Sequence, residues 1–355
     1  MSDESVPADR ADGPDRAEGT PATGEVFAVE GVEKTRERRP VAAPPEYTAL
    51  RVAEPPALDG RLAAPCWQRA PRSPRFVDLV SGASTALATE AAILWDDGNL
   101  YVGCWVEQPE VTATLTERDS EIWRDDDVEL FIAGPDAAGD GADVDVAVGR
   151  GAYYELEVNA FNTIYEVLFA WGRSRTPFGA DAPPELHADH PQAVAFDGVG
   201  YAHPGGLRTG FWGWDLPGLR TAVHVDGTLN DPSTVDRGWT VEIAVPWSSL
   251  EVLARADAVA GASSSAASAS AASASAASAS AASASAASAS GAAASDPRFA
   301  VPPNPGDTWR IEVSRFNVAK HGADDSGGWS WSPHGVWDSH LPELFPRVRF
   351  SADEV

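Results

Sequence analysis

Ile93-Leu94-Trp95-Asp96-Asp97-Gly98-Asn99-Leu100-Tyr101-Val102-Gly103-Cys104-Trp105-Val106 is the stretch that decides the fold. Two apolar arms flank an Asp-Gly turn, the short-range mark of a β-hairpin. In the second arm Leu100, Val102, Cys104 and Val106 alternate with Tyr101, Gly103 and Trp105. Alternation of period two puts one set on a buried face and the other set on the opposite face. The same rhythm recurs outward along the chain. Val128, Leu130 and Ile132 alternate with Glu129 and Phe131, and Leu156 and Val158 with Glu155, Glu157 and Asn159. Trp239, Val241, Ile243 and Val245 run until Pro246 stops them, Trp309, Ile311 and Val313 repeat the pattern, and Val348 with Phe350 closes the chain. Helical periodicity is nearly absent apart from Trp247 to Leu253. The expectation is an all-β protein, an antiparallel β-sandwich of jelly-roll type.

Two segments stand outside this pattern. Residues 1–45 are rich in Asp, Glu, Arg, Pro and Ala and short of large apolar side chains, so they are read as a disordered acidic tail. Residues 256–296 contain the unit Ala-Ala-Ser-Ala-Ser in tandem from Ala266 to Ser290. A five-residue period places no stripe on a helix face, and serine competes for backbone hydrogen bonds, so this low-complexity tract reads as a loop. Strand patterns lie on both sides of it. It therefore interrupts one domain spanning 46–355 rather than separating two.

The balance of 53 acidic against 26 basic residues gives a formal net charge of −27. Such a field repels phosphate backbones and anionic lipid, which argues against nucleic acid and membrane surfaces as partners. Lysine occurs only at Lys34 and Lys320. An acidic, lysine-poor surface fits a salt-rich environment or an ordinary soluble acidic protein alike. Cys66 and Cys104 are the two cysteines, too few for a disulfide framework, and both read as free buried thiols. The polar N-terminus offers no apolar run suited to a signal peptide, and no stretch reaches the ~20 apolar residues of a membrane span. A cytoplasmic location is the expectation.

The densest chemistry lies in Arg118 to Phe131, where Trp123 and the acidic run Asp125-Asp126-Asp127 lead straight into a strand. Because Val128 and Leu130 point to the core, Glu129 points off the other face. The same parity sends Glu155, Glu157 and Asn159 off the non-core face of their strand. A pyranose ring offers an apolar C–H face to an indole and a rim of hydroxyls to carboxylates and amides, so this grouping suits a sugar. Trp67, Trp95, Trp105, Trp239 and Trp309 sit in strand patterns and are read as core. Trp212 and Trp214, in a Gly-rich segment, either extend a binding platform or cap the sandwich. His187-Ala188-Asp189-His190 has metal-like spacing without a third ligand and is read as a surface loop.

In order along the chain, Leu58-Asp59-Gly60 with Trp67, Ile93 to Asp96 with Leu100 to Val102, Trp123 to Phe131, Tyr154 to Asn159, Trp239 to Pro246 and Trp329-Ser330-Trp331 resemble the family 9 carbohydrate-binding modules and their DOMON-like relatives. The resemblance spans roughly Leu50 to Phe350. It implies a DOMON-like sandwich in which two tryptophans clasp a terminal sugar while a Glu and an Asn bind its hydroxyls. Carried over by motif, these are Trp123, Glu129, Asn159 and Trp337. Where the sugar-binding pattern has an Arg two residues before the Asn, this chain has Glu157. The resemblance also implies structural calcium, for which spacing transfers no ligand set.

The partners so implied are an oligosaccharide or polysaccharide and a glycoside hydrolase served by the module, in polysaccharide catabolism. The usual work of such modules leaves export by an unusual route open. Two rival classes stay in view. Asp127 and Glu129 share one strand face, as the carboxylates of a glycoside hydrolase would. A DOMON-like haem or small-ligand binder is the other, and with Met1 the single methionine it would need two histidine ligands.

Overall fold

The structure is a computed structural model, and it describes residues 26–27, 32–135, 151–172, 174–256, 300–318 and 327–355. The strands in chain order are β1 (Val26–Phe27), β2 (Glu46–Arg51), β3 (Val77–Asp78), β4 (Thr89–Trp95), β5 (Asn99–Glu107), β6 (Asp127–Pro135), β7 (Ala152–Asn159) and β8 (Ile164–Trp171). They continue as β9 (Ala193–Phe196), β10 (Arg208–Phe211), β11 (Arg220–Asp226), β12 (Gly238–Pro246), β13 (Thr308–Asn317), β14 (Gly327–Ser330) and β15 (Arg347–Glu354). A five-residue helix α1 (Pro65–Arg69) and a helical segment from 247 to 256 complete the regular structure outside short 3-10 turns.

Hydrogen bonding links the strands in the order β1-β9-β10-β8-β7-β6-β13-β15-β2-β4-β5-β12-β11, with β14 added on β13 and β3 on β14. The path folds into two layers. The main apolar cluster draws Val128, Leu130, Leu156 and Val158 from one half and Ile93, Leu100, Val102, Val241 and Ile243 from the other. These are the residues that the alternation assigns to the buried face. The sandwich is mostly antiparallel, but mixed: β2 pairs parallel with both β15 and β4, and β1 with β9. Parallel neighbours need crossover connections, which local patterning does not report.

The hairpin at residues 93–106 forms as its turn chemistry dictates. Trp95 faces Leu100 across β4 and β5, and Asp96 Oδ1 accepts the backbone N–H of Gly98 and Asn99, both at 2.7 Å. The carboxylate thus closes the turn that the Asp-Gly pair begins. Trp67, Trp95, Trp239 and Trp309 are fully buried, as expected of core residues, whereas Trp105, also expected in the core, is only half-buried. Cys104 is buried, Cys66 half-buried, and both are free.

Most of the 1–45 segment, and the Ala/Ser tract from 257 onward, lie outside the described residues. The last part of the former, however, is laid on the domain. Thr35 exchanges backbone hydrogen bonds with Gly200 and Ala202, and the Arg39 N–H donates to Gly335 O. Backbone pairing, which composition does not encode, holds this stretch in place. Among the described residues no helix is long and apolar enough to cross a membrane.

Candidate functional site

Strand register builds the site. Across β6 and β7, Asp127 faces Asn159, Glu129 faces Glu157 and Phe131 faces Glu155. On the flanks Tyr165 of β8 faces Glu157, and Ser314 of β13 faces Glu129. One row across four strands therefore reads Tyr165, Glu157, Glu129, Ser314, all on the side away from the main core. This face is not open to water. Glu129, Glu155 and Glu157 are only 5%, 3% and 3% exposed. The 3-10 turn Ile122–Arg124 and the segment 334–345 cover it, with a second apolar cluster that includes Ile122, Phe131, Tyr165, Phe169, Trp212 and Phe345.

Between floor and cover lies a cavity of about 180 Å³, walled by Trp123, Tyr165, Trp212, Phe316 and Trp337 and floored by Glu129, Glu155 and Glu157. A single buried water needs on the order of 10–15 Å³ by the same kind of measure, so the space suits a small ligand. Trp123 meets Tyr165 edge-on at 5.1 Å, and Trp337 meets Phe316 edge-on at 5.3 Å. Since β8 and β13 flank β7 and β6, the two indoles stand on opposite sides of the carboxylates. Trp337 keeps 38% of its surface exposed. Trp212 donates its indole N–H to Tyr165 Oη at 2.7 Å, fixing that part of the wall.

The segment that carries Trp337 is anchored from below. Asp338 Oδ2 accepts the backbone N–H of Val199, Gly200 and Tyr201 at 2.7, 3.1 and 3.0 Å. Gly200 permits this approach, because a Cβ there would lie 2.2 Å from the Trp337 carbonyl oxygen. His340, also in the wall, contacts Tyr153 Oη through Nδ1 at 3.1 Å.

The floor is electrostatically unusual. One oxygen from each of Asp127, Glu129 and Glu157 lies within 4.8 Å of the others. Burial, followed by the charge of its neighbours, holds the carboxyls of Asp127, Glu155 and Glu157 well above the usual range. Glu129 is pushed up to about 7, chiefly by burial, against a hydrogen bond from Ser314 Oγ at 2.6 Å. Burial pushes the His340 imidazole well below its ordinary value, with the Arg208 charge acting in the same direction. The floor resists full ionisation and retains protons unless a cation or hydrogen-bond donors join it.

Of the residues singled out by sequence, the structure brings Trp123, Glu129 and Trp337 to one cavity, and adds Glu157. Asn159 stands apart from it. Its amide donates to Leu115 O and Asp125 Oδ2, and its Oδ1 accepts the N–H of Phe161 and Thr163. Both polar atoms of that side chain are thus engaged, Oδ1 in the β7–β8 turn and the amide in tying that turn to the Leu115–Asp125 segment. The acidic run also divides. Asp125 clamps Thr114 and Leu115, and Asp126 holds Gln108, Thr112 and the N–H of Val318. Both carboxylates are thus engaged by protein donors. Asp127 alone of the three turns toward Glu129.

Trp212 joins the cavity wall, whereas Trp214 packs against Tyr154 in the main core. His187 and His190 bond to separate local backbone groups, as in a loop. Tyr165 and Phe316 were not legible as wall residues, since the alternation of β8 and β13 came without the register to align it, and His340, in the irregular segment after β14, carried no local signal. A wider, open groove lies on the far layer around Trp105, His224 and Arg61. There the Arg72 guanidinium sits 3.1 Å from the Trp105 ring centre and covers the face a sugar would need.

Residues 58–141 match the family described as carbohydrate family 9 binding domain-like. This family 9-like segment holds Trp123 and Glu129, and ends before Asn159 and Trp337. No curated protein matches the chain. Solved structures similar to it include a Bacteroides uniformis protein (13% identity, 87% of this chain and 100% of that one, TM-score 0.47). Two others are a family 9 carbohydrate-binding module of Caldicellulosiruptor kristjanssonii in complex with cellotriose (12%, 86% and 93%, 0.40) and with glucose (13%, 85% and 95%, 0.37).

Proposed function

We propose that the protein binds carbohydrate without transforming it, holding a sugar unit between Trp123 and Trp337 over the floor of Glu129 and Glu157. The observation that carries this reading is the cavity itself: two indoles on opposite sides of a carboxylate row, at a mouth where one of them stays exposed. An indole covers the apolar face of a pyranose, and buried carboxyls exchange hydrogen bonds with its hydroxyls. The family 9-like match over residues 58–141 supports the same class of ligand. A role in polysaccharide catabolism beside a glycoside hydrolase goes with this reading.

Binding is favoured over hydrolysis by the carboxylate geometry. Glycosidases set two carboxyls roughly 5–10 Å apart across the bond they cleave. Here Glu129, Glu155 and Glu157 share one floor, and the Asp338 carboxyl in the wall is taken up by the N–H groups of Val199, Gly200 and Tyr201.

Calorimetric titration with gluco- and xylo-oligosaccharides tests the proposal. The wild type is expected to show saturable heat, and Trp123→Ala and Trp337→Ala to weaken it by about tenfold or more, since an aromatic platform contributes on the order of 1–3 kcal/mol. Equal titration curves for wild type and both variants, or no heat with any sugar, would remove the reading.

A further inference from the structure

Beneath the two indoles, the floor carries a feature that a neutral sugar does not use up. Asp127, Glu129 and Glu157 converge from two adjacent strands, each more than nine-tenths buried. Glu129 Oε2 accepts Ser314 Oγ, and Asp127 Oδ1 accepts the Phe316 N–H at 3.1 Å. Asp127 Oδ2 and Glu157 Oε2, in contrast, accept no hydrogen bond at all. Leaving one buried carboxylate oxygen unpartnered is costly, and two beside one another compound the cost. Among the described residues neither Asp127 nor Glu157 forms an ion pair. The contacts of Arg208 run to Tyr153, His340 O, Trp171 and Phe196, while His334 and His340 stand beside Glu312 and Glu155 at 3.5 Å.

We infer that Asp127, Glu129 and Glu157 bind a hard divalent cation at the floor of the cavity, with its remaining coordination positions turned toward the ligand space. The chemistry of the donor set chooses the ion class: three carboxylate oxygens, with no imidazole or thiolate, suit calcium, magnesium or manganese rather than zinc or copper. Position chooses an ion over an organic ammonium. Glu129 and Glu157 border the cavity, but Asp127 lies behind them at 0% exposure, where an atomic ion can touch all three and a ligand amine cannot. Two or more coordination sites would face the cavity and take water or vicinal sugar hydroxyls. The site thereby turns a repulsive floor into an oxygen-seeking one.

The test needs no sugar. Chelator-treated full-length protein is titrated with calcium, manganese and magnesium chlorides by calorimetry, beside Glu157→Gln and Asp127→Asn, with terbium luminescence excited through tryptophan as a second readout. The expected result is one stoichiometric site in the wild type, weakened more than about tenfold in either variant, and a terbium signal lost with it. Because the surface is strongly acidic, weak binding common to all three proteins is background. Both substitutions keep side-chain shape, and circular dichroism in chelator checks that the variants are folded. Identical titrations for wild type and folded variants with every ion would overturn the inference. Sugar titrations in chelator and in cation are read separately: cation binding without sugar binding overturns the proposed function and leaves the cation site standing.

Discussion

Two glutamates, one on each layer, are both buried and differently equipped. Glu242 on β12 accepts the indole N–H of Trp67 at 2.8 Å on Oε1, and the N–H groups of Asp59 and Gly60 at 3.2 Å each on Oε2. It ties the Leu58-Asp59-Gly60 turn and helix α1 to the outer face of the second layer, over Leu62, Leu94 and Tyr101. Glu157 on β7 is likewise shielded from water but has one oxygen that accepts nothing, and it faces a cavity rather than a packed turn. A buried acid with a full set of donors holds a fold together. A buried acid without them, at the floor of a pocket, is waiting for a ligand.

The largest expected effect separates these two. Glu242→Ala orphans one indole and two backbone donors in the interior, at about 1–3 kcal/mol each, so a loss on the order of 4 kcal/mol is expected. Glu157→Ala should change stability by less than about 1 kcal/mol, because it removes a carboxyl whose burial is uncompensated. Urea unfolding of both variants measures the difference. Equal losses would break the comparison and make Glu157 another structural acid.

Glu166 sharpens the comparison from between these extremes. It is buried on β8, paired with Arg118, and accepts Tyr154 Oη at 2.6 Å and the Leu216 N–H at 3.0 Å. Burial nonetheless pushes its carboxyl up to about 7 from an ordinary 4.5. The folded state thus holds the proton more tightly than the unfolded chain. Its contribution is fully present below 4.5 and is lost as pH rises through about 7, a change of roughly 3 kcal/mol over that window. Unfolding free energies from pH 4 to 8 should fall by about that amount more steeply for the wild type than for Glu166→Gln. Parallel profiles would mean that Arg118 and Tyr154 fully offset the burial.

The same contrast explains what could be read from the chain alone. Period two in residues 127–132 and 155–159 placed Val128 and Leu156 in the core and Glu129 and Glu157 on the other face, because parity is local. That the other face is also buried was not legible. It depends on Asp338 binding three N–H groups near residue 200, a contact 138 residues distant in sequence for Gly200. The residue-by-residue match of Glu129 to Glu157 was likewise hidden, since the connection between β6 and β7 is too long to set a register by turn type. Asn159 carried a different signal. It opens the turn Asn159-Ala160-Phe161-Asn162, where Asn162 has φ of 63°, and an Asn in that place binds its own backbone two residues on. The Asn159 side chain serves that turn and the Leu115–Asp125 segment, and the cavity's polar floor comes from Glu129, Glu155 and Glu157.

The smallest effect concerns how the cover over Glu157 is held, in contrast to the packed turn over Glu242. Any side chain at Gly200 meets the Trp337 carbonyl, so Gly200→Ala must push the 334–345 segment outward or strain its three hydrogen bonds to Asp338. The floor carboxylates are untouched by this change, and Trp123 keeps its place against Tyr165 on the opposite side. A displaced Trp337 leaves one of two platforms aligned. Sugar affinity should therefore fall by a few-fold to about tenfold, less than on deleting either indole, while cation binding at Asp127, Glu129 and Glu157 stays at its wild-type strength. Paired calorimetric titrations of Gly200→Ala with sugar and with cation check both halves. A variant that lost both together would show that cover and floor form one cooperative unit, and that Trp337 reports on the carboxylates rather than standing beside them.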